Sequence, residues 1–325
     1  MEPTRLLVTG GSGFIGTNLI DALSMVPGLE IMNVDMIRPK VRAHDVYWHD
    51  VDIRDCAKLT EAITKFGPNG VIHLAARTDL GGKELADYSS NTDGVASLLK
   101  ALDAIRFSGP AIFASSMYVC RPGYTPTSDT DYQPHTPYGE SKVVGEQILR
   151  DHNPAYPWLI IRPTSIWGPW FGTPYADFFH VVLSRRYANI ANVNMMKTYG
   201  YVGNTVVQIH ALLDRVEACR SRVVYLGDWP AYSVKEWAAE IAAFVPYKVP
   251  TVPKAAFRLL AVIGDAAKVV GVKFPMTSFR LKNLTTDNVH DTALLRSIVG
   301  DDLRFSRRQG NEITVAWLRA QRALA

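Results

Sequence analysis

A short apolar run that breaks into glycines and then into a helix opens this chain, and it constrains the fold more than any other segment. Arg5–Thr9 (RLLVT) reads as a buried strand, and Thr9–Gly16 (TGGSGFIG) follows it without a gap. From Phe14 to Met25 apolar residues recur at helical spacing, until Pro27-Gly28 stops them. A strand that turns through spaced glycines straight into a helix suits a site for a dinucleotide. Gly10 can make the tight turn, Gly13 lets the backbone approach a pyrophosphate, and Gly16 lets the helix pack close to the strand. The unpaired N–H groups and the dipole of the helix N-terminus then attract phosphate.

The pattern continues. Glu30–Asp35 and Val46–Asp52 read as strands, Asp55–Phe66 as a helix and Val71–Ala76 as a strand. Asn91–Arg106 reads as a helix, Ala111–Ser116 as a strand, Pro137–Asp151 as a helix and Trp158–Arg162 as a strand. Strands that are apolar on both faces and alternate with helices predict a parallel sheet covered on both sides. The fold class expected is α/β: a Rossmann-type doubly wound sheet over residues 1–170, with a smaller, mostly helical substrate lobe over 171–325. Val223–Gly227 is one further strand that returns to the core, and Val234–Phe244 a helix. Prolines at 246, 250, 253 and 275 punctuate the helical remainder.

Composition excludes several classes. With 47% hydrophobic and 20% charged residues, the chain is an ordinary globular one. Its 35 basic and 31 acidic residues are scattered, without the basic stripe of a nucleic-acid binder. Cys56, Cys120 and Cys219 are too few and too scattered for a disulfide framework or a zinc site, so no metal is expected and the compartment is reducing. The N-terminus lacks the form of a signal peptide. The longest apolar stretch, Phe257–Val272, is broken by Arg258, Asp265 and Lys268 and falls short of a spanning helix. A cytoplasmic protein without stable membrane insertion is the expectation.

Two features sharpen the chemistry. Asp35 ends the second strand, 19 residues after Gly16. A carboxylate there accepts hydrogen bonds from the adenosine ribose and repels a 2′-phosphate, which favours NAD over NADP, although Arg38 and Lys40 stand close by. Tyr138 and Lys142 are four apart, on one face of a helix. An ammonium beside a tyrosine favours phenolate, as an oxidised nicotinamide also would, and so makes the tyrosine a base.

With these residues in place the chain resembles the extended short-chain dehydrogenases/reductases, in the NAD-dependent epimerase/dehydratase family. The matching segments are TGGSGFIG, Asp35, Asp52-Ile53, HLAA at 73–76, Asn91, ASS at 114–116, Tyr138 with Lys142, and IIRPTSIWGP at 160–169. The resemblance implies bound NAD, held by Gly10, Gly13, Phe14, Ile15, Gly16 and Asp35. It places Asp52 and Ile53 at the adenine and Leu74, Ala75 and Ala76 along the cofactor, with Asn91 also on its side. It puts Ser115, Pro163 and Thr164 near the nicotinamide. It makes Tyr138 the acid/base, with Lys142 on the ribose, and Ser116 the hydroxyl that holds the reacting oxygen. It also implies a homodimer through the helices near 91–106 and 137–151.

Dehydratases of this family carry Asp-Glu just after the catalytic hydroxyl residue, because eliminating water needs a second acid/base. Here Met117-Tyr118 stands instead. That disfavours a sugar-nucleotide dehydratase and fits a sugar-nucleotide epimerase, which reduces its ketone on the other face. For the substrate, Lys197 and Arg280 resemble the family's diphosphate-binding cations, with Lys282 on the face opposite Arg280 if that segment is extended. Ser165 stands where many sugar-nucleotide enzymes have Asn, and Asn204 where they have Asp. The expected ligand is a nucleotide-diphosphate sugar. Residues 253–271, Pro275 and the closing ITVAWLRAQ resemble instead the 3β-hydroxysteroid dehydrogenase branch, which oxidises bulky apolar alcohols and whose helix here can face a membrane. A non-catalytic NAD-binding regulator is the third reading.

Overall fold

The computed structural model describes residues 4–269, 271, 274 and 276–324. The expected prolines are thus described except for Pro275, which lies outside these residues. The chain begins β1 (Arg5–Thr9), α1 (Phe14–Leu23), β2 (Glu30–Asp35), β3 (Trp48–Asp50), α2 (Cys56–Phe66) and β4 (Gly70–His73). It continues α3 (Ser89–Ala104), β5 (Ala111–Ala114), α4 (Pro137–His152), β6 (Trp158–Pro163) and β7 (Ser165–Trp167). There follow α5 (Tyr175–Leu183), β8 (Asn189–Ile190), β9 (Met196–Lys197), β10 (Tyr199–Tyr201), α6 (Val202–Leu213) and β11 (Val223–Leu226). The last elements are β12 (Tyr232–Ser233), α7 (Val234–Ala242), β13 (Thr251–Val252), α8 (Lys254–Val269), α9 (Ser278–Asn283), α10 (Ala293–Val299) and α11 (Arg307–Leu324).

Seven parallel strands form the sheet in the order β11-β6-β5-β4-β1-β2-β3. Alternate side chains of β1 feed the two faces: Leu7 packs with Leu59, Ile63 and Leu98 of α2 and α3, while Leu6 and Val8 pack with Leu19, Ile209 and Leu295 of α1, α6 and α10. The strand order reverses between β1 and β4, and a ligand crevice forms outside the carboxyl ends of strands at such a point. The third strand is shorter than expected. It is an edge strand that pairs only with Asn33–Asp35, and residues 42–47 before it wind into a 3₁₀ turn.

The chain beyond residue 170 divides its loyalties. Helix α6 and strand β11 complete the core layers. The rest packs around an aromatic cluster in which Trp167 and Trp237 are fully buried among Phe179, Tyr199, Tyr201 and Tyr232. Residues 278–283 form helix α9, not an extended segment, capped by the Thr277 hydroxyl, which accepts from the Arg280 N–H. Six residues are too few for their spacing to reveal a helical period.

Asn204 has a local reason to be an amide. Its Nδ2 donates to Asp228 Oδ1 at 3.0 Å and to the Phe305 carbonyl, while its Oδ1 accepts from the Phe305 N–H. Burial pushes Asp228 up to about 6, against the hydrogen bonds from Tyr232, Tyr201 and Asn204. A second carboxylate here would raise both groups further. Asn204→Asp should therefore destabilise the fold more at pH 7 than at pH 5. A carboxyl whose folded pKa is raised contributes stability below its ordinary value of 3.8 and loses it as pH rises through the folded value. Each unit corresponds to about 1.4 kcal/mol. Urea unfolding at the two pH values measures this; an equal or smaller loss at pH 7 would contradict it.

Candidate active site

The glycine loop is held from below by a residue the motif does not include. Gly11 N–H donates to Asn33 Oδ1 at 2.9 Å, and Asn33 Nδ2 lies 3.3 Å from Ser12 Oγ. An amide in the middle of the apolar strand EIMNVD was the available signal. Gly10 has φ +74°, and a Cβ there would stand 2.5 Å from the Ala75 nitrogen. A Cβ on Gly16 would collide with the Gly10 carbonyl, whereas Gly13 faces open space apart from that oxygen. Asp35 accepts from Ser12 N–H at 3.0 Å and Ile37 N–H at 2.9 Å. Burial raises its pKa, opposed by those backbone donors. Arg38 is turned to Asp45, at 2.6 Å, and stacks near Trp48. The glycine cradle, the exposed helix start and the carboxylate at the end of β2 fit a dinucleotide with an unphosphorylated ribose.

Other expected cofactor residues take more structural parts. Phe14 packs on Phe171, and Ile15 joins the apolar contacts beneath it. Both oxygens of Asp52 are engaged by the Arg54 guanidinium, and Ile53 is buried beneath Gly94. Asn91 is buried and spends its amide locally: Nδ2 donates to the Arg77 carbonyl and Ser141 Oγ, and Oδ1 accepts from Arg77 N–H. It thereby fixes the end of the Leu74–Ala76 segment against α4. Leu74 N–H donates to the Thr9 carbonyl, and His73 Nδ1 lies 2.7 Å from Thr9 Oγ1. Burial and the charge of Lys142 push His73 down to about 3, so it is a neutral bridge between β1 and β4.

Ser116, Tyr138 and Lys142 converge, and a glycine makes this possible. The turn Met117–Val119 lies on the first turn of α4, and a Cβ on Gly139 would collide with the Tyr118 carbonyl. Helix α4 starts on the Thr136 hydroxyl, with Pro137 at its first position. Ser116 Oγ accepts from Tyr118 N–H at 3.1 Å and also acts on the Tyr138 phenol. The Tyr138 ring sits against Tyr88 and Tyr118, each with centroids 5.9 Å away.

The expected electrostatics need correction. Burial pushes the Tyr138 phenol up to about 12, with only the Ser116 hydroxyl pulling it down. Besides burial, the groups that act on the phenol are Ser116, Tyr118 and Tyr88, while Lys142 Nζ donates to the Ala114 carbonyl at 3.1 Å. Burial lowers Lys142 to about 8, against the charge of Glu146. This geometry holds the phenol in its proton-carrying form.

Behind them stands a second feature the sequence reading missed. Arg162, with no exposed surface, makes a fork-to-fork pair with Glu146 at 2.8 and 2.7 Å. It also donates to Tyr225 Oη and the Asp129 carbonyl, and lies between the rings of Tyr132 and Tyr225. It ties α4, β6, β11 and the loop after Ser116 together. An arginine inside the apolar run WLIIR was the signal.

The substrate side is aromatic. Tyr175 Oη donates to Ser165 Oγ at 2.8 Å, Tyr199 packs on Tyr175, and His135 stacks on Tyr118. Thr164 Oγ1 donates to the Leu226 carbonyl, Pro163 ends β6, and the buried Ser115 has its backbone N–H on Ile161. Lys197 Nζ donates to the Asn283 carbonyl at 3.0 Å, and burial lowers it to about 8. It anchors the end of α9, the helix that carries the exposed Arg280.

The model of the NAD dependent epimerase/dehydratase family matches residues 6–224. The chain belongs to this family; it is an NAD-dependent enzyme of the extended short-chain dehydrogenase/reductase type. It is 27% identical over 309 residues, 90% of this chain and 89% of the relative, to the N-acetyl-alpha-D-glucosaminyl-diphospho-ditrans,octacis-undecaprenol 4-epimerase of Escherichia coli O157:H7. It is 26% identical over 273 residues, 76% of this chain and 72% of the relative, to the 3-beta-hydroxysteroid dehydrogenase of Mycolicibacterium neoaurum. The fold is shared with UDP-glucuronic acid 4-epimerase from Bacillus cereus in complex with NAD, at TM-score 0.75 and 17% identity, over 97% of this chain and 99% of that one.

Proposed function

We propose that this enzyme is an epimerase of sugars carried on a diphosphate, of which nucleotide-diphosphate sugars are the water-soluble kind. The observation that carries the reading is the pair after Ser116. Met117 cannot transfer a proton, and Tyr118 is a packing aromatic, stacked on His135 and edge-on to Tyr138. One acid/base, Tyr138, is therefore at hand beside Ser116. Epimerisation through a ketone needs only one, whereas eliminating water needs two.

In this mechanism Ser116 Oγ holds the reacting hydroxyl, and Tyr138 takes its proton and later returns it. Lys142 lies one helical turn from the tyrosine, where its charge favours phenolate once it turns from the Ala114 carbonyl. NAD, when bound, supplies the acceptor that takes a hydride and gives it back. The rings of Tyr118, Tyr175 and Tyr199 offer the ketone flat apolar faces on which to reorient. Lys197 holds α9, and so positions Arg280 toward a diphosphate.

A second reading, oxidation of a bulky apolar alcohol, is favoured by the apolar surface of α8 and by the hydroxysteroid relative. A substrate panel separates the two. With UDP-, GDP- and dTDP-hexoses, polyprenyl-diphosphate-linked hexoses and a sterol alcohol, the expected result is a new stereoisomer of a diphosphate-linked hexose and no change in the sterol. Oxidised sterol with every sugar unchanged would overturn the proposal.

A further inference from the structure

Strand β7 and helix α5 meet in two successive rungs, one apolar and one polar. Ser165 and Trp167 lie on the same face of β7, and Tyr175 and Phe179, one turn apart, on the same face of α5. Trp167 and Phe179 are fully buried and pack on each other with ring centroids 5.6 Å apart. That contact fixes the helix against the strand. It sets Ser165 opposite Tyr175, whose Oη donates to Ser165 Oγ at 2.8 Å.

The polar rung belongs to the candidate active site. Ser165 lies just past the carboxyl end of β6, the side on which open sheets of this kind take their ligands. Its neighbour across the β7–β10 pair is Tyr199, whose ring stands edge-on to Tyr175 at 6.1 Å. The Tyr175 phenol is within electrostatic reach of Tyr118 and Tyr138. Tyr175 keeps part of its surface exposed, whereas Phe179 behind it has none. Tyr232, elsewhere in the same aromatic cluster, spends its hydroxyl on the buried Asp228 carboxylate. Tyr175 spends its own on a second hydroxyl, which carries a hydrogen too.

Counting hydrogen bonds indicates the group that this pair takes. Two hydroxyls that share one hydrogen bond keep one O–H to donate and lone pairs to accept with, whichever of them is the donor. Among the described residues neither hydroxyl has a second hydrogen-bond partner. A sugar hydroxyl donates and accepts at once, and so completes the pair. A phosphate only accepts, and would leave a lone pair facing its charge. A monohydroxy sterol brings one hydroxyl, the one that reacts. We infer that Ser165 and Tyr175 together read a hexose hydroxyl other than the one oxidised, which makes Tyr175 a specificity-determining residue of this site. This rests on the proposed epimerase reading for its substrate, and on the β7–α5 contact for its geometry. It also accounts for serine where many sugar-nucleotide enzymes have Asn. An amide donates and accepts within one side chain, and here two hydroxyls divide that work.

The test crosses protein variants with substrates that each lack one hydroxyl. It uses the diphosphate-linked hexose that the enzyme isomerises and its deoxy analogues, one non-reacting position at a time. With the parent, one deoxy analogue should lose at least about tenfold in kcat/KM, because it leaves the pair without its partner. Tyr175→Phe should lose about as much on the full substrate, and little more on that one analogue, since the contact is already gone. On the other analogues its loss should equal that on the full substrate. NAD affinity should stay at the parent's value. If the circular dichroism of Tyr175→Phe departs from the parent's, Ser165→Ala is read in its place, with the same pattern expected. A folded variant that loses equally on every analogue would overturn the inference and leave Tyr175 a packing residue. So would a variant with the parent's rate on the full substrate. Failure of the epimerase reading shows separately, as a parent that isomerises no diphosphate-linked hexose at all, and the inference falls with it.

Discussion

Tyr138→Phe should keep the fold and the NAD affinity while turnover falls by about 10²–10⁴-fold, the usual size of a general acid/base contribution. The ring would still pack between Tyr88 and Tyr118, so the first turn of α4 loses no apolar contact. Only the hydroxyl beside Ser116 disappears. Steady-state kinetics with calorimetric titration of NAD separate the two effects. A purely structural tyrosine would give a small change in turnover. Retention of more than about a third of the parent rate, where a hundredfold loss is the least expected, would remove Tyr138 from the mechanism.

Arg162→Met should be the most damaging substitution for stability, at about 3–5 kcal/mol. The side chain is fully buried, and its removal leaves Glu146 charged and half-satisfied between β6 and α4. Tyr132 would still donate to one Glu146 oxygen, at 2.9 Å, but one neutral donor does not replace a guanidinium fork. Burial works to lower the arginine's pKa, and the hydrogen bonds and charge of Glu146 outweigh it, so the guanidinium stays charged. The loss should appear in chemical unfolding of the whole chain, because Arg162 also holds Tyr225 and the Asp129 carbonyl. A cost below about 1 kcal/mol, the range of an exposed pair, would show that the pair does not act as a buried one.

Residues whose roles are set locally were legible in the sequence. TGGSGFIG must turn, approach and pack where it stands, and Tyr138 and Lys142 share a helix face whatever surrounds them. Strands with both faces apolar announced the parallel sheet. What escaped depends on partners distant in sequence. Asn33 supports Gly11 from 22 residues away, Arg162 meets Glu146 across 16 and Tyr225 across 63, and Asn204 needs Asp228 at 24. Each is a polar residue in an apolar run, which shows that a partner exists without naming it. The surroundings of Tyr138 likewise depend on distant partners. The helix spacing put Lys142 near the phenol, but the Ala114 carbonyl at the end of β5 takes the ammonium. Burial is then the stronger influence.

The central claim is that the substrate is oxidised and reduced again within one turnover. It is tested most directly by a diphosphate-linked hexose that the enzyme isomerises, carrying deuterium at its reacting carbinol carbon. The account predicts that absorbance in the NADH band stays flat over many turnovers while the epimer accumulates and keeps its deuterium. Stoichiometric NADH with a keto product, or an epimer that has exchanged its deuterium for solvent hydrogen, would contradict it.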